Sequence, residues 1–124
     1  MRNVAMLLCL AVLVGCAKPQ PATVHGKTLE HWIQALQDRD GRVRRKAVEA
    51  LGNVGAADAA VVPAVAGALK DRDAGVRAAA TLALLKIGPA AEEAVPALID
   101  SQNDKDARVR EYATKALERI QDRK

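Results

Sequence analysis

The sequence repeats itself at an offset of 33 residues. The acidic motif Asp-Arg-Asp at 38–40 returns at 71–73 and, as Asp-Lys-Asp, at 104–106. The positions after each motif recur in the same register, where Val43, Arg44, Ala47, Ala50 and Leu51 return as Val76, Arg77, Ala80, Ala83 and Leu84 and then as Val109, Arg110, Ala113, Ala116 and Leu117. A period of about 20–50 residues is typical of stacked units that bury their apolar faces against one another. We therefore predict a repeat array.

Each unit of the repeat predicts two helices. In the first unit, Leu29, Trp32, Ile33 and Leu36 follow the i, i+3, i+4, i+7 spacing of a helix that buries one face, and a similar stripe runs through 43–54. Alanine dominates, aromatic residues make up 2% of the chain and there is no Phe, which favours helices over strands. The predicted helices span residues 28–38, 41–54, 60–71, 74–87, 93–103 and 107–122.

Helix boundaries in the repeat are marked by residues with known terminal preferences. Asp40, with its equivalents Asp73 and Asp106, suits the N-cap of each second helix, because a carboxylate there accepts backbone N–H groups and lies at the positive helix end. Gly55 and Gly88 suit the position just past a helix, where a positive φ is needed. Pro63 and Pro96 fit the first turn of the next helix.

The motif Leu-x-Asp-x-Asp-x-x-Val-Arg, followed by small residues and Ala-Leu-x-x-x-Gly, resembles HEAT repeats, in particular those of phycobilisome lyases and of short exported bacterial proteins. The resemblance covers residues 28–122 and implies an all-α, right-handed α-solenoid of three helix-pair repeats, at 28–58, 59–91 and 92–122. It implies that the first helices form the convex face and the second helices the concave face. Gln102 and Gln121 depart from the pattern, and they indicate either a polar end cap or a truncated gene product.

The resemblance also implies a structural role for the arginines that recur once per repeat. In HEAT repeats a turn aspartate of one repeat pairs with the arginine of a neighbour, which assigns an inter-repeat ladder to Asp40, Arg44, Asp73, Arg77, Asp106 and Arg110. Asp38, Asp71 and Asp104 are further acidic partners in the same turns. The alternative is that the aligned arginines bind phosphate. Charges that satisfy one another in this way set the register of repeats more than they add stability.

The first fifteen residues have the layout of a signal peptide. Arg2 precedes an apolar run from Val4 to Val14, which is too short to span a membrane, since that takes about 20 apolar residues. The sequence Leu-Val-Gly-Cys at 13–16 resembles the lipobox of bacterial lipoproteins. This resemblance implies cleavage before Cys16 and a diacylglycerol on its thiol. The alternative is an ordinary secretory signal with an incidental cysteine.

The lipobox predicts where the protein is located. Two or three acyl chains on Cys16 would hold the protein stably on a membrane. Ala17 is not the Asp that lipoproteins use for retention in the inner membrane, so the outer membrane is favoured in a bacterium that has one. Residues 16–27, with Pro19, Pro21 and Gly26, are interpreted as a short spacer between the lipidated cysteine and the repeats.

The residue inventory argues against several classes of chemistry. The net charge of +4 falls to +3 without Arg2, and with few aromatic residues to stack on bases, binding to nucleic acid is not expected. His25 and His31 have no third metal ligand near them, and Ser101 lies at the other end of the array. We therefore predict no catalytic residue, metal, cofactor or small-molecule substrate. The competing hypothesis, from the phycobilisome-lyase resemblance, is a bilin-lyase-type enzyme or lyase subunit.

A protein-binding module is the function that remains, and one face of the second helices gives it a location. The candidate residues combine a central apolar group with charged flanks, namely Lys46, Glu49, Ala79, Leu82, Leu85, Tyr112 and Lys115. An apolar centre with a polar rim is the arrangement of an interface. The alternative is that Leu82 and Leu85 pack against helices of adjacent repeats. We predict an envelope-anchored scaffold that binds an unknown protein partner on its concave face.

Overall fold

The computed structural model describes residues 19–122 and contains three consecutive pairs of helices. The helices are α1 (Leu29–Ala35), α2 (Gly41–Val54), α3 (Val61–Ala68), α4 (Ala74–Ile87), α5 (Val95–Ser101) and α6 (Ala107–Gln121). Short 3₁₀ helices at Gly55–Ala57 and Gly88–Ala94 connect one pair to the next. The chain is therefore an all-α solenoid of three helix pairs, as the repeat predicts. Between residues 19 and 122, no helix has both the length and the apolar character needed to cross a membrane.

The second helix of each pair forms a continuous layer with its neighbours. Helix α4 packs along both α2 and α6, and no pair of first helices is packed as extensively. Each second helix is capped at its N-terminus by the predicted aspartate, whose side chain accepts backbone N–H groups of the first turn, and the caps are Asp40, Asp73 and Asp106. Helices α2 and α4 are followed by Gly55 and Gly88 with φ values of 62° and 70°. These two positions therefore need glycine.

The core lies between the two layers of helices. Its largest fully buried side chains include Leu51 of α2, Leu84 of α4, Leu98 of α5 and Val65 of α3. Trp32 of α1 is 4% exposed and belongs to this core, which confirms its predicted packing role. Because these residues come from every pair, each repeat is stabilised by contact with the next.

The first helices are shorter than the sequence predicts. Residues 36–38, which were assigned to the first helix, form i→i+3 hydrogen bonds, for example from Leu36 N to Ile33 O at 3.3 Å. The same tightening follows α3 and α5, at Leu69 and Gln102. A helix end commonly tightens in this way because the last carbonyls otherwise lack partners.

The two ends of the array differ from its middle. Val43 is 37% exposed, whereas its equivalents Val76 and Val109 are 1% and 0% exposed. Its predicted place in a buried stripe is therefore wrong, because within residues 19–122 no repeat precedes the first helix pair to cover it. At the other end Gln102 donates to the Thr114 hydroxyl over 3.2 Å, and both side chains are exposed. The array is therefore polar at these two positions of its third repeat.

Part of the predicted spacer is folded. Thr23–Val24 and Lys27–Thr28 form an antiparallel hairpin, β1 and β2. His25 and Gly26 between them have φ values of 52° and 73°, which a tight hairpin turn of type I′ requires. The indole Nε1 of Trp32 donates to the carbonyl of Val24 over 3.0 Å, which holds the hairpin on α1. The interpretation of 16–27 as a spacer is therefore wrong for its last residues.

The inter-repeat ladder exists, but its acidic partners are the first aspartates of the turns. Arg44 donates through Nε and Nη2 to Asp71 at 2.8 and 3.0 Å, and Arg77 donates in the same way to Asp104 at 2.9 and 3.1 Å. The assignment of the ladder to Asp40, Asp73 and Asp106 is therefore corrected, because their carboxylates are used as helix caps. Arg110 forms no such pair in the part of the chain described here.

Candidate functional site

A groove crosses the three second helices and is called the inner groove below. Its floor is made of small and apolar residues, namely Gly52 of α2 and Gly75, Ala78, Ala79, Leu82 and Ala83 of α4. Its walls carry polar side chains, namely Arg45 and Glu49 of α2, Lys86 of α4 and Arg108 and Tyr112 of α6. The inner groove lies on the layer that the HEAT resemblance assigns to the concave face.

The groove exists because the middle repeat has small residues where the outer repeats have large ones. Ala78 occupies the repeat position that holds Arg45 in α2 and Glu111 in α6. Gly52 lets α2 and α4 approach closely, since a Cβ atom on it would lie 2.9 Å from Cβ of Ala83. Two charged walls therefore flank a shallow apolar floor.

Leu82 is the apolar side chain that the groove leaves accessible. It is 37% exposed, although its neighbours Thr81 and Ala83 are 0% and 4% exposed. Leu85, which was predicted on the same face, is instead half-buried and packs against the core. Of the two predicted leucines, Leu82 is therefore the one exposed in the groove. The alternative prediction, that the leucine packs against helices, applies to Leu85.

The charged side chains of the groove form short local pairs. Arg45 donates to Glu49 at 3.1 Å, one turn away on α2. Arg108 donates to Asp106 at 3.1 Å, and this hydrogen bond outweighs the opposing desolvation and lowers the pKa of Asp106 to about 2. Among the lining residues the cations of Arg45, Lys86 and Arg108 outnumber the carboxylate of Glu49, and Asp106 beside Arg108 reduces the excess to one positive charge. The groove therefore favours an acidic ligand.

The size of the groove limits what it can hold. Its volume is about 140 Å³, whereas pockets for small molecules and cofactors usually measure about 300–1,000 Å³. An amino-acid side chain fits such a space. A tetrapyrrole would extend well beyond it.

Sequence reasoning found part of this site. Glu49, Ala79, Leu82 and Tyr112 line the groove as predicted positions, whereas Lys46, Leu85 and Lys115 do not. Lys115 is exposed and pairs with Glu111 at 2.6 Å. The candidate set lacks the other lining residues, namely Arg45, Gly52, Gly75, Ala78, Ala83, Lys86 and Arg108. A helical signal for Arg108 was available, since it precedes Tyr112 by four residues and shares its face of α6.

The polar residues considered for catalysis or metal binding have structural partners. Ser101 is buried and donates to the carbonyl of Ala97 over 3.0 Å, one turn back in α5. His25 and His31 both lie edge-on to the ring of Trp32, with centroid distances of 6.4 and 5.1 Å. Within the described range 19–122, no group of three or more His, Cys, Asp or Glu could hold a metal ion.

Comparison with protein families gives a match to HEAT repeats over residues 29–123. The chain belongs to the HEAT repeat family. The match covers the whole of the helical array described above. It leaves out the N-terminal segment with Cys16, whose predicted lipidation lies outside the described residues.

Solved structures with the same HEAT-like architecture include natural and engineered proteins. The complex of CpcE and CpcF of phycocyanin lyase from Nostoc is 32% identical, with a TM-score of 0.67 over 84% of this chain and 40% of that chain. An engineered protein is 27% identical, with a TM-score of 0.64 over 76% of this chain and 45% of that one. A designed armadillo repeat protein in complex with the peptide (KR)4 is 24% identical, with a TM-score of 0.64 over 74% of this chain and 46% of that one.

The chain spans less than half the length of each of these three proteins. A comparison with curated proteins gave no match. The likeness to the armadillo repeat protein concerns the fold alone.

Proposed function

We propose that this HEAT repeat protein is a scaffold or protein-interaction module of the cell envelope, and that its inner groove binds a side chain of a partner protein. The observation that carries this proposal is Leu82, which is 37% exposed on the floor of a groove with charged walls. An apolar centre that a partner can desolvate, inside a polar rim, is the usual anatomy of a protein–protein interface. Tyr112 at the edge of the groove is of a residue type enriched in such interfaces.

The partner is an acidic segment that carries one apolar side chain. The apolar side chain covers Leu82 and the alanines of α4, within a volume of about 140 Å³. Carboxylates beside it face Arg45, Lys86 and Arg108, which outnumber Glu49 in the groove. Complementary charge of this kind raises the association rate and selects among partners.

Leu82→Glu is expected to abolish partner binding without unfolding the protein. A carboxylate at this position is solvated in the free protein but would be buried unpaired in the complex, which we expect to weaken binding by at least tenfold. Because Leu82 is partly exposed, the melting temperature should change by no more than about 3 °C. The partner is captured from detergent-solubilised membranes and quantified, and thermal unfolding is followed by circular dichroism.

Ile99→Glu is the matched control for this experiment. Ile99 is 50% exposed on α5, away from the inner groove, so the same kind of change is made on another exposed apolar residue. This variant should capture as much partner as the unchanged protein. If both variants lose partner binding equally, or if Leu82→Glu loses none, the inner groove is not the binding site.

The proposed anchor at Cys16 is tested by fractionation. Cys16→Ser should abolish membrane attachment and leave the helical fold intact, because the first core contacts of the repeats begin with Val24 and Leu29. The chain is followed between soluble and membrane fractions, and its helical content by circular dichroism. If the serine variant stays with membranes after a high-salt wash, the prediction of a lipid anchor at Cys16 is wrong.

A lyase subunit is the second candidate function, and one comparison supports it. The chain is 32% identical to part of the CpcE–CpcF complex of phycocyanin lyase. Against it, the groove volume is about 140 Å³, and the repeat range 28–122 contains no Cys. Titration with a bilin, followed by absorption, is expected to give no spectral shift. Saturable binding, or transfer of the bilin to an acceptor cysteine, would favour the lyase subunit over the scaffold.

A further inference from the structure

The inter-repeat ladder has three arginines but only two complete pairs in residues 19–122. Arg44 pairs with Asp71 and Arg77 with Asp104, each across 27 residues and each through two hydrogen bonds. Both pairs are largely shielded from water, with side-chain exposures between 6% and 16%. Within residues 19–122, no following repeat supplies an aspartate to the third arginine, Arg110.

Arg110 is nevertheless held in the same way as the paired arginines. Its Nη1 donates to the carbonyls of Asp104 and Lys105 at 2.8 and 3.0 Å. Nη1 of Arg44 donates to the equivalent carbonyls of Asp38 and Arg39 at the same distances, 2.8 and 3.0 Å. The Nε and Nη2 atoms that bind a carboxylate in the other arginines are therefore positioned in Arg110, and no acceptor for them lies within the described residues.

The opposite end of the array presents the missing half of the pair. Oδ1 of Asp38 accepts the amide of Asp40 at 2.9 Å, as Oδ1 of Asp71 accepts the amide of Asp73 at 2.8 Å. The carboxylate of Asp38 is thus oriented like those of the paired aspartates. It is exposed, and no arginine between residues 19 and 122 donates to it.

An apolar side chain at the same end also lacks the cover that its equivalents have. Val43 is 37% exposed, whereas Val76 and Val109, each preceded by a repeat, are 1% and 0% exposed. Within residues 19–122, the N-terminal end of the array therefore offers Asp38 no arginine partner and leaves Val43 partly uncovered. A preceding repeat supplies both at the two internal junctions.

We propose that copies of this chain associate head to tail, with Arg110 of one copy donating to Asp38 of the next. The side chains of Arg110 and Asp38 have opposite charge, and each has the local hydrogen bonds of a pair already present twice inside the chain. A second copy is the occupant that supplies both halves at once. Such a contact joins different surfaces of the two copies, so it leaves a free Arg110 and a free Asp38 for further growth.

The composition of the C-terminal end makes this association weak. Exposed Thr114 and Gln102 stand there at the repeat positions of buried Thr81 and Leu69, so little apolar surface is covered. The charge pair accordingly carries much of the specificity, and salt should weaken the association. The proposed contact between Arg110 and Asp38 lies at the ends of the array and is separate from the inner groove.

The test compares two variants that each remove one half of the contact. Asp38→Asn and Arg110→Gln are prepared in the full chain, in a detergent whose micelles are density-matched, and their masses are measured by sedimentation equilibrium from roughly 10 µM to 1 mM, the range of weak association. The unchanged protein should grow past the dimer. Each variant alone should associate at least tenfold more weakly, with an unchanged melting curve.

The mixture of the two variants gives the decisive result. Asp38→Asn retains Arg110 and Arg110→Gln retains Asp38, so an equimolar mixture should form one contact and stop at the dimer. Lys70→Gln, a change of an exposed cation away from both ends, should behave as the unchanged protein. An unchanged protein that stays monomeric, variants that associate as strongly as it does, or a mixture without dimers would each overturn the proposal.

Discussion

Leu84→Ala is expected to lower the free energy of unfolding by about 2–5 kcal/mol, the usual range for truncating a buried leucine. The side chain of Leu84 is fully buried in the middle repeat, on a helix that packs against both α2 and α6. Since each repeat is stabilised mainly by its neighbours, the resulting cavity weakens both junctions of the array. Urea unfolding followed by circular dichroism measures the loss.

Leu82→Ala is the control for this truncation. The same methyl groups are removed two positions away on α4, but from a side chain that is 37% exposed. The free energy of unfolding is expected to fall by about 1 kcal/mol or less, because folding buries less apolar area of Leu82 than of Leu84. Similar losses in both variants would contradict the assignment of Leu84 to the core and Leu82 to the open groove.

Two of the three second helices, α2 and α4, could be predicted to the residue because chemistry marks both of their ends. The predictions 41–54 and 74–87 coincide with Gly41–Val54 and Ala74–Ile87. An aspartate caps each start, and a glycine that needs a positive φ follows each end. The first helices have no such stop signal, so their last turn was predicted as α-helix.

The N-terminal hairpin could not be predicted from local sequence. Its strands have two residues each, which is too short for an alternating pattern, and Pro19, Pro21 and Gly26 are typical of a linker. The contact that holds it is tertiary, a hydrogen bond of 3.0 Å from Trp32 to the carbonyl of Val24. Such a contact has no signature in the spacing of the residues.

The ladder and the groove show where a repeat pattern leaves two choices open. Asp71 and Asp73 are both acidic and both recur, and the structure separates them because Asp73 is needed as a helix cap while Asp71 reaches Arg44. Leu82 and Leu85 lie about one turn apart on α4, so periodicity places both on nearly the same face. The local packing of the middle repeat decides that only Leu82 is open.

Arg77→Met is expected to lower the free energy of unfolding by roughly 2–4 kcal/mol, slightly below the cost of breaking a fully buried ion pair. Asp104, whose side chain is 13% exposed, would lose the two hydrogen bonds from Arg77 and its charge partner, and would keep the hydrogen bond from the amide of Asp106. Methionine replaces the apolar stem of the arginine side chain and lacks the guanidinium group, so the loss reports mainly on the charged group. Urea unfolding at pH 7 measures it.

Arg110→Met makes the same change at the arginine that has no aspartate partner within residues 19–122. Measured on dilute protein, it should change the free energy of unfolding by no more than about 0.5 kcal/mol, as for most exposed positions. A large effect of Arg110→Met would show that the hydrogen bonds to the turn carbonyls, rather than the carboxylate pairs, stabilise the array.

Arg77→Met and the unchanged protein differ in their free energy of unfolding. The pH dependence of this difference shows whether the ion pair with Asp104 accounts for it. Desolvation raises the pKa of Asp104, but the hydrogen bonds from Arg77 and from the amide of Asp106, together with the charge of Arg77, outweigh it and hold the pKa below its ordinary value of 3.8. The pair therefore stabilises the fold fully above that value, and this contribution is lost as the pH falls through the lower folded-state pKa. In Arg77→Met the hydrogen bonds and the charge of Arg77 are lost, whereas desolvation and the hydrogen bond from the amide of Asp106 remain, so Asp104 protonates at a higher pH and the penalty is relieved earlier. The difference in the free energy of unfolding should be constant from pH 7 to about pH 5 and then shrink towards pH 3. A difference that stays constant down to pH 3 would assign the loss to the packing of the arginine stem instead of its charge.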